Sequence, residues 1–263
     1  MISYAQNAED VVLMRAFADV INGFYVDVGA WDPSADSVTK VFYDAGWTGL
    51  NLEPQPQRLA LFDAQRSRDT NLTIAASDVA GTATLFVAQY APLSTLDQSI
   101  IDPTNADYTI VDRIETCTMP LAAILDEHAR DHVIHFLKID VEGHEAAVLR
   151  GADLKRHRPI VLVIEATCPT TNAPKWAAWE GLVLDAGYRF ALFDGLNRFY
   201  VCDERADLLP KLCFGAFCLD GYITHREAQM RAQLRAAEEE LSRARQALVA
   251  LGGAGAAPST AVR

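Results

Sequence analysis

GFYVDVGAWDPSADSVTKVFYDAGWTGLNLEPQP, residues 23–56, decides the fold class of this chain. Phe24 to Val28 is a short run with the β-branched and aromatic content of a buried strand, and it ends on Gly29. A helix pattern follows, with Ser34 or Asp36 as cap and Val38, Phe42 and Ala45 three to four apart on one face. Gly46 stops that helix. Leu50 to Leu52 then make a second strand that ends on Glu53 and is broken by Pro54 and Pro56. The result is a β-α-β unit with an acidic residue at each strand end, Asp27 and Glu53. The bland alternative is a buried β-α-β unit whose charged ends have no further role.

A unit of this kind makes a nucleoside-cofactor crevice, with the ligand beyond the carboxyl ends of parallel strands and the second acid on the ribose hydroxyls. A pyrophosphate cofactor needs glycines at three fixed places, because backbone must approach two phosphates closely. Here Gly29 is followed by Ala30, Trp31, Asp32 and Pro33, so phosphate binding is disfavoured. S-adenosylmethionine carries no phosphate. It needs a small residue or two at the turn and carboxylates toward its amino-acid and ribose parts, which Asp27, Gly29, Ala30 and Glu53 supply.

Half of the 263 residues are hydrophobic, enough for one sizeable core that buries about 70–75% of the unfolded surface. One catalytic domain plus a tail is the simplest organisation: residues 1–221, a helical tail at 222–251, and a disordered end at 252–263. A net charge of -12 argues against a nucleic-acid partner, which would demand a basic face. Five scattered cysteines, at 117, 168, 202, 213 and 218, have no paired spacing and read as reduced thiols rather than a zinc site. MISYAQNAED has neither the basic nor the apolar part of a signal peptide. No apolar run is long enough to span a membrane, so a cytoplasmic protein is expected.

Ser3 or Asn7 caps a first helix carrying Val11, Leu13, Met14, Phe17 and Ile21. Its polar start, with Gln6, Asn7, Glu9 and Asp10, reads either as a solvated cap or as a segment folded across the cofactor. After a helix at 56–66, a third strand at 71–76 ends on Ser77 and Asp78, placed to reach an adenine amino group or simply to make a turn before Gly81. Residues 82–88 read as a further strand and 89–115 as a long irregular wall or lid beside the substrate. FLKIDVEGHE then brings an apolar strand into Asp140, with Glu142, His144 and Glu145 at the start of a helix. The next strand, Ile160 to Ile164, ends on Glu165 before Pro169. Carboxylates at four strand ends repel one another and raise one another's pKa, so function or metal binding explains them better than stability. YRFALFDGLNRFYVC, residues 188–202, is a hairpin that makes the last strand antiparallel. In the tail, Leu234, Leu241 and Leu248 recur every seven residues, with Met230, Ala237, Ala244 and Leu251 at the companion position. That seam suits either a single solvated helix or a coiled coil.

These pieces together resemble the FkbM family of S-adenosylmethionine-dependent methyltransferases, through ISYAQNAEDVVL, FYVDVGAWDP, NLEPQP, LSTLD, FLKIDVEGHEAAVLRG and the pair IEAT and DGLNRFYV, over residues 2–205. The resemblance implies a Rossmann-like class I α/β fold with a seven-stranded, mostly parallel sheet of order 3-2-1-4-5-7-6, its last strand antiparallel. It implies O-methylation of a sugar hydroxyl in a bacterial surface glycan or glycoconjugate. Alternatives are a small-molecule natural product as acceptor, or a non-catalytic adaptor. By the same resemblance, Asp27, Gly29, Ala30 and Glu53 hold the methionine and ribose parts, and Ser77 and Asp78 face the adenine. Asp140 and Glu142 form the catalytic edge, with His144 as a reserve base. Related sugar O-methyltransferases imply a further reading with Mg²⁺ on Asp140 and Glu165. The tail lies outside the resemblance and is a candidate contact for a second copy or a glycosyltransferase.

Overall fold

The computed structural model describes residues 1–168, 171 and 173–253, without the side chains of 250–253. The disorder expected for 252–263 falls, from 254 onward, outside the described residues. In chain order, β1 (Ile2–Ser3) and α1 (Glu9–Ala16) precede β2 (Phe24–Val28). Then come α2 (Lys40–Asp44), β3 (Thr48–Leu52), α3 (Pro56–Gln65), β4 (Thr70–Leu72) and β5 (Ala75–Ser77). β6 (Gly81–Ala88), β7 (Ile110–Pro120), α4 (Leu121–His128), β8 (Ile134–Ile139), α5 (Glu145–Arg150) and α6 (Leu154–His157) follow. The chain continues with β9 (Val161–Glu165), α7 (Glu180–Asp185), β10 (Tyr188–Phe193), β11 (Asn197–Cys202), α8 (Leu209–Leu212), β12 (Ile223–Thr224) and α9 (His225–Gly253).

Two units result, one of Tyr4–Gly221 and one of Met1–Ser3 with Tyr222 onward. In the smaller, β1 pairs in parallel with β12, and α9 follows. Leu234, Leu241 and Leu248 of α9 are all exposed. In the larger, seven strands form one sheet in the order β4-β3-β2-β8-β9-β11-β10, in which only β11 runs antiparallel to its neighbours. Counted along the chain, those seven stand in the order 3-2-1-4-5-7-6. β2 and β9 are buried along their whole length, the pattern of strands covered on both faces, which is why they read as apolar runs whose one charged residue, Asp27 or Glu165, stands out.

Register matters most for function. Val28 pairs with Leu52 on one side and Ile139 on the other, and Ile139 pairs with Ile164. The next residue of each strand therefore lies in one row along the carboxyl edge: Glu53, Gly29, Asp140 and Glu165. Asn197 of β11 pairs with Glu165 and extends the row.

Several expectations need correction. The helix after Gly29 is short, because Asp32 Oδ1 accepts hydrogen bonds from the backbone of Ser34 and Ala35 and Asp36 takes a left-handed conformation. Neither Ser3 nor Asn7 caps α1; its N-cap is Ala8, also left-handed. The third strand splits in two. β4 stays in the main sheet, while β5 pairs in parallel with β7 in a separate three-stranded sheet of order β5-β7-β6. Residues 110–115 belong to β7, an eleven-residue strand antiparallel to β6, so the irregular stretch is only 89–109. Among the described residues no helix is long and apolar enough to cross a membrane.

Candidate active site

Gly29 turns the chain at the centre of the row with φ +79°, and a Cβ there would lie 1.8 Å from the carbonyl oxygen of Asp140. Only glycine lets β2 and the end of β8 approach this closely. Trp31, two residues on, is also left-handed, and its N–H donates to Glu53 Oε2 at 3.0 Å. Gln55 N donates to the other oxygen at 2.8 Å. Burial pushes the Glu53 carboxyl up to about 7. Its ring-side neighbour Trp31 is covered by Arg58, whose guanidinium lies 3.6 Å from the ring centroid.

Two cavities meet at this row. The first is a narrow slot walled by Glu53, Gln55, Ile74, Ala75, Ala76 and Val141 among others. The second is wider and carries Asp36, Tyr90, Lys138, Glu165 and Thr167. Gly29, Trp31, Asp140 and Glu142 line both. One cavity thus offers an acid at the bottom of an apolar slot, and its neighbour offers a polar, acidic cleft.

Lys138 sets the electrostatics of the junction. Its Nζ donates to the carbonyl of Gly29 at 3.1 Å and lies 3.4 Å from Asp27 Oδ1 and 3.3 Å from Asp140 Oδ2. Burial works against its charge, but Asp140 and Asp27 outweigh it, so its pKa is raised. On the acidic side, Glu142 is pushed to about 9 by burial, Asp140 and Glu145. Glu165 is also raised well above the usual carboxylate range, by burial first and then by Asp140 and Glu142. Glu145 is a helix-start acid whose Oε1 accepts from Gly143 N at 2.9 Å, which holds the turn carrying Glu142.

The residues singled out from the sequence end up in different places. Glu53, Gly29, Asp140 and Glu142 line the first cavity, and Glu165 lines only the second. Asp27 lines neither: it is 1% exposed and holds Lys138 and Thr39 Oγ1 from behind. Ala30 is buried with its N–H on Leu52 O. Ser77 and Asp78 also stand away from the first cavity, which Ala75 and Ala76 line instead. The split of the third strand carries Ser77 to His144, 3.0 Å from Nε2, and leaves Asp78 paired with Arg150 at 2.8 Å. His144 borders the first cavity but not the second, and burial lowers its pKa.

The profile of the methyltransferase FkbM domain matches residues 27–190, well over half of the chain. This chain belongs to the FkbM methyltransferase family. No curated protein matches it. The matched span begins with Asp27 and contains Glu53, Lys138, Asp140, Glu142 and Glu165, so the whole carboxyl-edge row of this FkbM domain up to Glu165 lies within it. Two of its site residues, Trp31 and Lys138, escape a reading of the sequence. A lysine inside the otherwise apolar FLKI run was the available signal for Lys138; nothing local marks Trp31 as the wall shared by two cavities.

Proposed function

We propose that the protein is an S-adenosylmethionine-dependent O-methyltransferase, with the cofactor in the first cavity and a sugar hydroxyl presented from the second. The observation that carries this reading is the pair of adjoining cavities with one shared wall of Gly29, Trp31, Asp140 and Glu142. A methyl group at that wall is open to in-line attack from the acceptor side. Glu53 at the cofactor end has a spare lone pair on each oxygen for ribose hydroxyls, since each already accepts one backbone N–H. Ile74, Ala75, Ala76 and Val141 suit an adenine ring, which asks for apolar walls rather than charge.

Transfer forms an O–C bond and breaks the C–S bond of the sulfonium. Alignment of the two reacting atoms about 3–3.5 Å apart supplies much of the rate. The hydroxyl proton goes to a carboxylate, and Asp140 is our choice because it borders both cavities. Trp31 and Glu142 orient the acceptor. Asp140, Glu142 and Glu165 each offer an oxygen within 4.8 Å of the others, an all-oxygen set of the kind that holds Mg²⁺. If bound there, the ion would acidify the hydroxyl. Lys138 already sits 3.3 Å from Asp140 and competes for that place.

Calorimetric titration with S-adenosylhomocysteine tests the cofactor. Micromolar binding that weakens at least about tenfold in Glu53→Ala, or ~1.4 kcal/mol, is the expected result. No binding by the unaltered protein would sink the reading. Asp140→Asn should keep that affinity and lose at least about a hundredfold in turnover; near-normal turnover would remove Asp140 as proton acceptor.

A further inference from the structure

Glu165 is 8% exposed, and among the described residues its carboxylate has no hydrogen-bond or ion-pair partner. Glu142 Oε2 is likewise buried without a hydrogen bond. Buried carboxylates are normally satisfied, so two open acceptors side by side ask for a ligand that donates. Both project into the second cavity, together with Asp140 and Asp36. Among the described residues the one cation lining that cleft, Lys138, is spent on Gly29 O, Asp27 and Asp140. Lys175, whose buried Nζ has no hydrogen-bond partner, packs against Gly143, acts on Glu142 and Glu145, and does not line the cleft. Three oxygens within 4.8 Å of one another can all be reached from one point about 2.8 Å from each, the length of a charge-assisted N–H···O bond. A hydroxyl placed there donates once and satisfies one acceptor. An ammonium, with three N–H donors, reaches all three oxygens.

We propose that the acceptor carries a protonated amine next to the hydroxyl to be methylated, as in an amino sugar, with the ammonium held between Glu142 and Glu165. Anionic acceptors, including uronic acids and sugars still attached to a nucleotide diphosphate, are excluded by the same carboxylates. This rests on the methyltransferase reading above, with the second cavity as the acceptor side.

The test titrates the full chain, loaded with S-adenosylhomocysteine and kept in EDTA, with glucosamine, glucose and glucuronate at pH 6.5. Glucosamine should bind at least about tenfold more tightly than glucose, and glucuronate should not bind measurably. Glu165→Gln should bring glucosamine down to the level of glucose, and Glu142→Gln should do the same should the first variant not fold, with circular dichroism as the check of folding. Glucuronate binding as well as glucosamine, equal binding of glucosamine and glucose, or no binding of any of the three by cofactor-loaded protein overturns the proposal. Glucosamine binding that appears only when Mg²⁺ replaces EDTA also overturns it, and gives the cluster to a metal. Failure of the unaltered protein to take S-adenosylhomocysteine is a different result, because it removes the cofactor reading first and this one with it.

Discussion

Lys138 is where a single side chain decides whether the site holds together. It is 7% exposed, and its ammonium is shared by Gly29 O, Asp27 and Asp140. Taking away one partner of a buried ion pair leaves the other charge stranded, which costs more than the pair contributes. Lys138→Met is therefore expected to destabilise the protein by about 3 kcal/mol. Urea unfolding followed by circular dichroism would measure it, and a change under about 0.5 kcal/mol, the usual size at an uninvolved surface position, would contradict this account. Sequence showed the acids of this cluster plainly, because Glu53, Asp140 and Glu165 each end an apolar run and Asp27 interrupts one. It did not show which of them face a cavity. Asp27 stands level with Asn51 and Lys138, two places short of the row that holds Glu53, so its carboxylate is taken up by Lys138 and Thr39 while Glu53 reaches open space.

At the level of elements, the strands and their acids were legible from apolar runs and breakers, while the segments between them were not. The third strand looked continuous through residue 76 because Thr73 and Ile74 carry no breaker, yet the chain turns there, with Ile74 N on Leu72 O, and β5 leaves for another sheet. That departure, set by pairing with a strand more than thirty residues away, carried Ser77 and Asp78 off the expected edge. The polar start of α1 is settled by tertiary contacts too. Glu9 is 3% exposed, accepting from Asn7 N at 2.9 Å and from Asn197 Nδ2 at 2.7 Å, so it ties the N-terminal segment to β11. Burial, and then Asp194, raises its pKa from 4.5 to about 7. The folded state holds this proton more tightly than the unfolded one, so Glu9's contribution is complete below pH 4.5 and is lost as pH rises through about 7. Glu9→Gln turns an amide N–H₂ toward one of the two donors and should cost about 1–2 kcal/mol at pH 5. That deficit should shrink toward pH 8, and chemical denaturation at both pH values checks it; a deficit that grows with pH would refute the assignment.

For the molecule as a whole, both cavities are lined by residues of one unit. The residues lining the two cavities lie between Gln6 and Leu196, and the family match ends at residue 190. Deleting 222–263 should leave S-adenosylhomocysteine affinity within about twofold, since no residue named in either cavity wall belongs to that stretch. A tenfold loss in calorimetry would tie the tail to the site. The tail's composition was legible as a helix from its Ala, Glu, Arg and Leu content, and α9 is that helix. What its leucines meet was not legible, because a weak seam with alanine at alternate positions reads the same alone or paired.

The carboxyl-edge row also fixes what such a sequence can change over time. Glu53, Gly29, Asp140 and Glu165 are aligned only because β2, β3, β8 and β9 end on paired residues. Inserting one residue into any of these strands would move its member of the row by about 3.3 Å and turn it to the opposite face. Lineages descending from this architecture can lengthen or shorten the stretch at 89–109, which pairs with none of the four. They cannot alter the length of a central strand without dismantling the row, so divergence in acceptor choice should be written in loop lengths while strand lengths stay constant.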